Sequence, residues 1–298
     1  VPPLECVPNL SEGRRPEVVA RLAAAAAAPP GVRLLDASSD PDHNRSVLTL
    51  AGHPEGLHRS LLALYETALA EIDLTRHGGA HPRVGAVDVV PFVPLGDTPM
   101  AAAVAAAERL AAAVAERFGL PVYLYERAAR RPDRSSLAAI RSGGVEKLEG
   151  RIAADLAWAP DFGPARIHPT AGASVIGARF LLIAFNAVLA TADVAAARAI
   201  ARRVREANGG LPAVRALGIA LASRGLAQVS MNLLDYRRTA PLQALRRVEA
   251  EAAALGTRVV ATEIVGLVPS AAVQGVGAED LKLTGPLPIL EDRLREAS

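Results

Sequence analysis

Apolar and polar positions alternate along the first half of the chain in short blocks that predict strand and helix in turn. Leu4–Pro8 has the length and apolar content of a strand, closed by the turn-rich run Asn9-Leu-Ser-Glu-Gly13. Pro16–Ala28 reads as a helix with proline in its first turn and Pro29-Pro30-Gly31 as its stop. Val32–Ala37 and Ser46–Ala51 read as strands around the polar loop Ser38–Arg45. In Pro54–Ile72, Leu57, Leu61, Leu64, Leu69 and Ile72 recur near helical spacing. Val87–Leu95 is a strand whose Pro91 and Pro94 set it near an edge or a bulge. Thr98–Phe118 is an alanine-dominated helix, and Val122–Tyr125 a further strand.

The second half repeats this order. Arg179–Asn186 reads as a strand, Thr191 and Asp193 open a helix to about Ala207, and Val214–Ala222 and Leu226–Leu234 form a hairpin through Ser223-Arg224-Gly225. A helix over Thr239–Leu255, stopped at Gly256, leads to a strand over Val259–Val268 and a short helix over Pro269–Gly275. The expectation is an α/β (α+β) chain of two βαββαβ, ferredoxin-like subdomains, residues 1–178 and 179–298. Helices would cover the outer faces and leave a ligand groove between the sheets. Glu126–Ala178 is rich in Arg, Gly and Pro, and Gly163–Ala178 is read as the linker between the halves.

Composition narrows the class. Hydrophobic residues make up 51% of the 298 residues and charged residues 21%, which excludes intrinsic disorder. The formal charge of +2 comes without a dense basic run, which argues against nucleic acid as the partner. The single cysteine, Cys6, excludes a disulfide framework and a cysteine-based zinc site, and a lone cysteine on a strand reads as an inert buried residue. Phe180–Ala190 is too short to span a bilayer and contains Asn186. Val1–Cys6 has no basic region ahead of an apolar core, so a soluble cytoplasmic protein is expected, with no membrane partner.

Polar density peaks in Thr75-Arg-His-Gly-Gly-Ala-His-Pro-Arg-Val-Gly-Ala-Val-Asp88. His77 and His81 stand four apart, as zinc ligands do on a helix, but Gly78-Gly79 and Pro82 argue against a helix, and no Glu follows His77. A loop whose glycines let backbone approach a ligand, with an imidazole held for proton transfer, fits these residues better. The bland alternative is a loop whose histidines only satisfy backbone carbonyls. Asp40-Pro-Asp-His-Asn-Arg45 has the composition of an ordinary turn. Trp158-Ala-Pro-Asp-Phe-Gly-Pro164 reads either as a site segment or as a hydrophobic plug under a linker. Ala171–Ala178 lacks the Lys-Ser/Thr of a phosphate loop, and Gly275-Val-Gly277 is too short for a dinucleotide fingerprint.

Several of these strings together resemble the glutamate formimidoyltransferases (formiminotransferases). They are Glu5-Cys-Val-Pro-Asn-Leu-Ser-Glu-Gly13, Arg76-His-Gly-Gly-Ala-His-Pro-Arg-Val-Gly-Ala-Val-Asp88, Trp158–Pro164, Phe180-Leu-Leu-Ile-Ala-Phe-Asn186 and Leu226-Ala-Gln-Val-Ser-Met-Asn-Leu-Leu-Asp235, in the same order from about Glu5 to Pro269. The resemblance implies a free-standing transferase without the cyclodeaminase module fused to it in animals. It implies a homodimer that binds tetrahydrofolate, as co-substrate, between two subdomains. The family's catalytic histidine falls on His81. Its folate-contacting stretch falls on Gly163–Gly172, here including Gly163, Pro164, Arg166, His168, Thr170 and Gly172.

The implied reaction moves a formimidoyl group from N-formimidoyl-L-glutamate to N5 of tetrahydrofolate. A cationic amidine is already electrophilic, so no metal is expected. His81 would act as general acid and base, because an imidazole titrates near neutrality. Arg83, Arg45 and Arg76 are candidates for the substrate carboxylates, and Asp161 for the amino-pyrimidine edge of the pterin. Formyl transfer on the same site and folate binding without turnover remain alternatives, as does partnership with a separate cyclodeaminase.

Overall fold

Proline shapes the first sheet. The computed structural model describes residues 3–79 and 81–296, and the chain divides into two units between Arg179 and Phe180. The opening strand is interrupted at Val7-Pro8, giving β1 (Leu4–Cys6) and β2 (Asn9–Leu10) in place of one strand and a turn. Both lie between β4 (Arg45–Gly52) and β5 (Val87–Pro94), antiparallel to each. β3 (Val32–Asp40) pairs with β4 and takes in Ser38–Asp40, which the sequence suggests as loop. The resulting order β3-β4-β1/β2-β5 is that of a split βαββαβ unit. Period-two alternation sends Leu4, Cys6, Leu48 and Leu50 to one face. There they meet Leu22 of α1 (Pro16–Ala27) and Leu57, Leu61 and Leu64 of α2 (Pro54–Glu71).

The first unit then exceeds the expected pattern. α3 (Met100–Phe118) leads to β6 (Val122–Glu126), and β7 (Ser174–Ala178) enters between β5 and β6, parallel to both. Residues 163–178 are therefore not simply a linker: their last five form an interior strand buried at every position. A parallel strand covered on both faces carries no alternation, so Ser-Val-Ile-Gly-Ala lacks the signature that marks the antiparallel strands. Gly177 has no room for a side chain, since a Cβ there would lie 2.4 Å from the Tyr125 carbonyl oxygen. α4 (Leu137–Arg141) and α5 (Gly144–Ala154) cover the second face through Ile140, Leu148 and Ile152, packed on Val89, Tyr123, Tyr125 and Val175. The Arg-, Gly- and Pro-rich passage after Glu126 is thus part of the first core, and at the β5-β7-β6 end of the sheet helices cover both faces.

The second unit follows the expected order. β8 (Ile183–Leu189), α6 (Val194–Val204), β9 (Val214–Leu221), β10 (Leu226–Leu233), α7 (Pro241–Ala253) and β11 (Val259–Val265) build a sheet ordered β11-β8-β10-β9, antiparallel throughout. β8 begins at Ile183 rather than Arg179, because its inward set is Ile183, Phe185, Ala187 and Leu189. These face Ile200 and Val204 of α6 and Leu245 and Val248 of α7. Asp193 caps α6 by accepting from the Ala195 N–H at 2.7 Å. α7 instead starts on Pro241, and the Thr239 hydroxyl donates to the Pro212 carbonyl at 2.7 Å. The last helix, α8 (Leu290–Glu296), has no counterpart in the sequence pattern.

One close approach tests this packing. A Cβ on Gly85 would sit 1.7 Å from the Ala173 carbonyl oxygen, backbone against backbone. Gly85→Ala is expected to destabilise the first unit by about 3 kcal/mol, the upper range for overpacking a core. Urea unfolding followed by circular dichroism measures it, and a variant as stable as the parent would refute this account of Gly85.

Candidate active site

The histidine-rich loop leaves the first unit between Leu74 and Val84, and the segment 168–173 closes its base. Leu74 N donates to Thr170 O at 2.8 Å, Ala86 N to Ala171 O at 2.9 Å, and Ala173 N to Val84 O at 2.8 Å. His168 and Gly172 exchange backbone hydrogen bonds at 2.9 and 3.0 Å, and the His168 Nδ1 accepts from Ala171 N at 3.1 Å. Gly172 has φ +70°, and a Cβ there would strike Val84 O at 2.2 Å, so this crossing requires glycine. Thr170, His168 and Gly172 therefore border the loop. Gly163, with φ +86°, lies instead against Leu120, and Arg166, whose N–H donates to Pro164 O, is exposed.

The opening motif braces the same loop. The Ser11 hydroxyl donates to Gly85 O at 2.7 Å, and Gly13 N donates to the Asn44 side-chain oxygen at 3.0 Å. Asn44, in the left-handed conformation at φ +47°, donates its amide to Gly78 O at 3.1 Å. Gly79 packs on the His43 carbonyl, which would lie 2.3 Å from a Cβ at that position. The turn Asp40–Arg45 and the loop are thereby locked together, with the His43 N–H held by Asp40 Oδ1 at 2.8 Å.

Asp88 lies under this assembly, fully buried. Its Oδ2 accepts from Arg45 Nη1 at 2.7 Å and from Arg141 Nη2, and its Oδ1 accepts from Val84 N at 2.8 Å. Burial alone would raise its pKa, but the Arg141 and Arg45 guanidiniums outweigh that and hold the carboxyl well below the usual range. Burial and the neighbouring Arg141 lower Arg45 to about 10, still cationic at neutral pH. Arg45 also grips the Asn9 side-chain oxygen through Nε and Nη2 at 3.1 and 2.7 Å, so it faces Asp88 and Asn9 rather than an open carboxylate site. Two cations around one carboxylate leave a positive field.

His81 stands in that field, half-buried. Its Nδ1 lies 2.8 Å from the Pro82 carbonyl oxygen. A carbonyl only accepts, so Nδ1 carries the proton and Nε2 keeps its lone pair. Burial first, then Arg45 and Arg141, push the imidazole well below its ordinary pKa, against a smaller opposing pull from Pro82 and Asp88. The ring is neutral at pH 7 and competent to accept a proton. His77 is fixed in the same way, its Nε2 on the Asn44 carbonyl at 3.0 Å, and burial lowers it too. The His43 ring is 5.8 Å from that of His81, centroid to centroid. Among the described residues no three His, Cys, Asp or Glu side chains are grouped as a metal ion would require.

The remaining expected residues divide. Arg83 reaches His77 O at 3.0 Å and Glu146 at 3.7 Å, beside the loop, and Arg76 is exposed at its outer end. Asp161, expected to meet the pterin edge, is turned into the fold: it pairs with Arg134 at 2.8 Å and accepts from Leu124 N at 2.8 Å. Trp158 behaves as a plug, packed on the Tyr123 and Ile140 cluster beneath Arg151, whose guanidinium is 4.4 Å from the ring. Cys6 is buried and its thiol is pushed up by burial, as an inert core residue. Sequence reasoning missed Arg141. It lies 53 residues beyond Asp88 in an arginine-rich stretch, and no spacing singles it out.

The sequence of the chain is similar to those of known proteins. Residues 3–179 match the family model of the formiminotransferase domain, N-terminal subdomain, and residues 184–281 match that of the formiminotransferase domain. A glutamate formimidoyltransferase of Thermoplasma acidophilum is 44% identical, covering 99% of this chain and 98% of its own. One from Streptococcus pyogenes serotype M1 is 40% identical over 91% of this chain and 90% of its own. The formimidoyltransferase-cyclodeaminase of Sus scrofa is 42% identical over 92% of this chain but only 52% of its own length.

Removing the central carboxylate gives a direct test of the site. Asp88→Asn leaves two buried guanidiniums facing each other and is expected to cost about 3–5 kcal/mol at neutral pH. The Asp88 pKa is lower folded than unfolded, so its stabilisation is complete above the unfolded value of about 3.9 and is lost as pH falls through the folded one. The gap between parent and variant should therefore narrow below about pH 4. Denaturant melts from pH 7 to pH 3 measure it, and a constant gap would refute the charge-clamp reading.

Proposed function

The chain belongs to the formiminotransferase family, whose members are transferases, and from that premise we propose that it moves the formimidoyl group of N-formimidoyl-L-glutamate to N5 of tetrahydrofolate. The observation that carries this reading is the state of His81: Nδ1–H directed to Pro82 O and Nε2 unprotonated, kept so first by burial and then by Arg45 and Arg141. As N5 attacks the amidine carbon, the N5 proton passes to His81 Nε2. The tetrahedral intermediate then expels the glutamate nitrogen, which takes the proton back from His81. A base that is neutral at pH 7 and fixed in one tautomer suits the first step. The imidazolium it becomes is destabilised by Arg45 and Arg141, which favours the return of the proton in the second.

Substrate carboxylates call for guanidinium partners, and Arg83 and Arg76 flank the loop on which His81 sits. Arg45 contributes through the field and through Asp88. Thr170, His168 and Gly172, at the base of the loop, are the part of the 163–172 stretch best situated to meet the folate. The same reading takes tetrahydrofolate as co-substrate, a homodimer in the cytoplasm as the working form, and a separate cyclodeaminase as a candidate consumer of the product.

A transfer assay tests the reading. With tetrahydrofolate and N-formimidoyl-glutamate, the parent should release glutamate and form 5-formimidoyl-tetrahydrofolate, while His81→Ala should lower kcat by about 10²–10⁴ and leave tetrahydrofolate affinity nearly unchanged. Near-normal turnover in His81→Ala would overturn the base assignment. Turnover of N-formyl-glutamate in place of the formimidoyl donor would assign formyl transfer.

A further inference from the structure

A second imidazole borders the proposed base, and nothing in the fold accounts for it. His43 is 92% buried, with a relative exposure of 8%, and its Nε2 has no hydrogen-bond partner among the described residues. An unpaired polar atom in such a place costs stability and persists only where it is needed or where a bound group satisfies it. The ring is nonetheless firmly placed. The His43 N–H is fixed to Asp40, its carbonyl is pressed by Gly79, Asn44 beside it carries the loop contacts, and Arg45 two residues on grips Asp88. Its ring lies 5.8 Å from that of His81 and tilts 45° to it, so the two imidazoles are neighbours.

We propose that His43 is a second substrate-contacting residue of the reacting centre, its Nε2 reserved for a hydrogen bond to the group undergoing transfer while His81 handles the proton. This rests on the proposed formimidoyl transfer. The amidine and the tetrahedral intermediate both present N–H groups that a neutral imidazole nitrogen can accept. The bond gains most as the carbon becomes tetrahedral and its nitrogens turn toward the protein. His43 therefore contributes to orientation and transition-state binding, and no proton needs to leave through it.

The test compares His43→Phe, which keeps an aromatic ring and removes both nitrogens, with His43→Gln, which keeps a polar end. His43→Phe should lower kcat/KM by about 10- to 100-fold, mainly in kcat, with His43→Gln intermediate. Its melting temperature should equal or exceed that of the parent, because the orphaned polar atom is gone. Parent-like kinetics in His43→Phe would overturn the proposal. So would an activity loss matched by a fall in melting temperature and undiminished in His43→Gln, since that marks a structural role. The side-chain NMR signals of His43 supply a readout independent of turnover. They should shift when tetrahydrofolate or N-formimidoyl-glutamate is added to the parent, and no shift with either overturns the contact. If the parent bound tetrahydrofolate and shifted His43 but did not turn over, the transfer reading would fail while the contact stood.

Discussion

One buried carboxylate organises the first unit. Asp88 sits at the head of a central strand, where an isolated buried charge would be intolerable; two guanidiniums from distant parts of the chain neutralise it and a nearby backbone N–H completes its hydrogen bonds. Arg45 comes from the neighbouring hairpin, Arg141 from a short helix on the far face, and Val84 N from the loop itself. The carboxylate thus ties the hairpin, the covering helix and the histidine loop into one structure. Its second consequence is electrostatic. Two guanidiniums against one carboxylate leave excess positive charge beside His81, which adds to burial in keeping the imidazole neutral. The same contacts that close the fold therefore add to the burial that keeps the candidate base neutral.

Glycine makes this geometry possible. The loop is held by backbone groups that pass one another too closely for any side chain: Gly79 on His43 O, Gly85 on Ala173 O, Gly172 on Val84 O. Each close pass fixes a stretch of chain that has no regular secondary structure of its own. A loop assembled in this way is rigid enough to hold an imidazole in one tautomer, as proton transfer in a defined direction requires. It also explains why the opening Asn9-Leu-Ser-Glu-Gly13 segment carries so much polar sequence: Asn9 holds Arg45, Ser11 holds Gly85, and Gly13 meets Asn44.

How much of this could be read from the sequence depended on the length scale of each interaction. The antiparallel strands and their helices were legible because burial on one face writes a period into the chain, as in Leu4/Cys6 and Leu48/Leu50. β7 was not, because a parallel strand buried on both faces has no period, and Gly177 in its middle reads as linker. The site divided along the same line. His81 and its glycines stand together in one run and so announced themselves. Arg141 meets Asp88 only through a long-range fold contact, and Asp161, conspicuous beside Trp158, faces inward to an Arg134 that no local pattern pairs with it.

Unmet hydrogen bonds occur around the same loop. His43 Nε2, His77 Nδ1, Arg83 Nε and Arg141 Nε are all buried without partners among the described residues, and all belong to the ring of side chains around one loop. Left unmet, each such atom costs about 1–3 kcal/mol, and others of the kind lie elsewhere in the fold, on Gln228 and Thr257 among them. Packing would readily have replaced any of them with apolar groups, as it did throughout the alanine-rich core of α3. Those around the loop are the ones that a group bound beside His81 would satisfy.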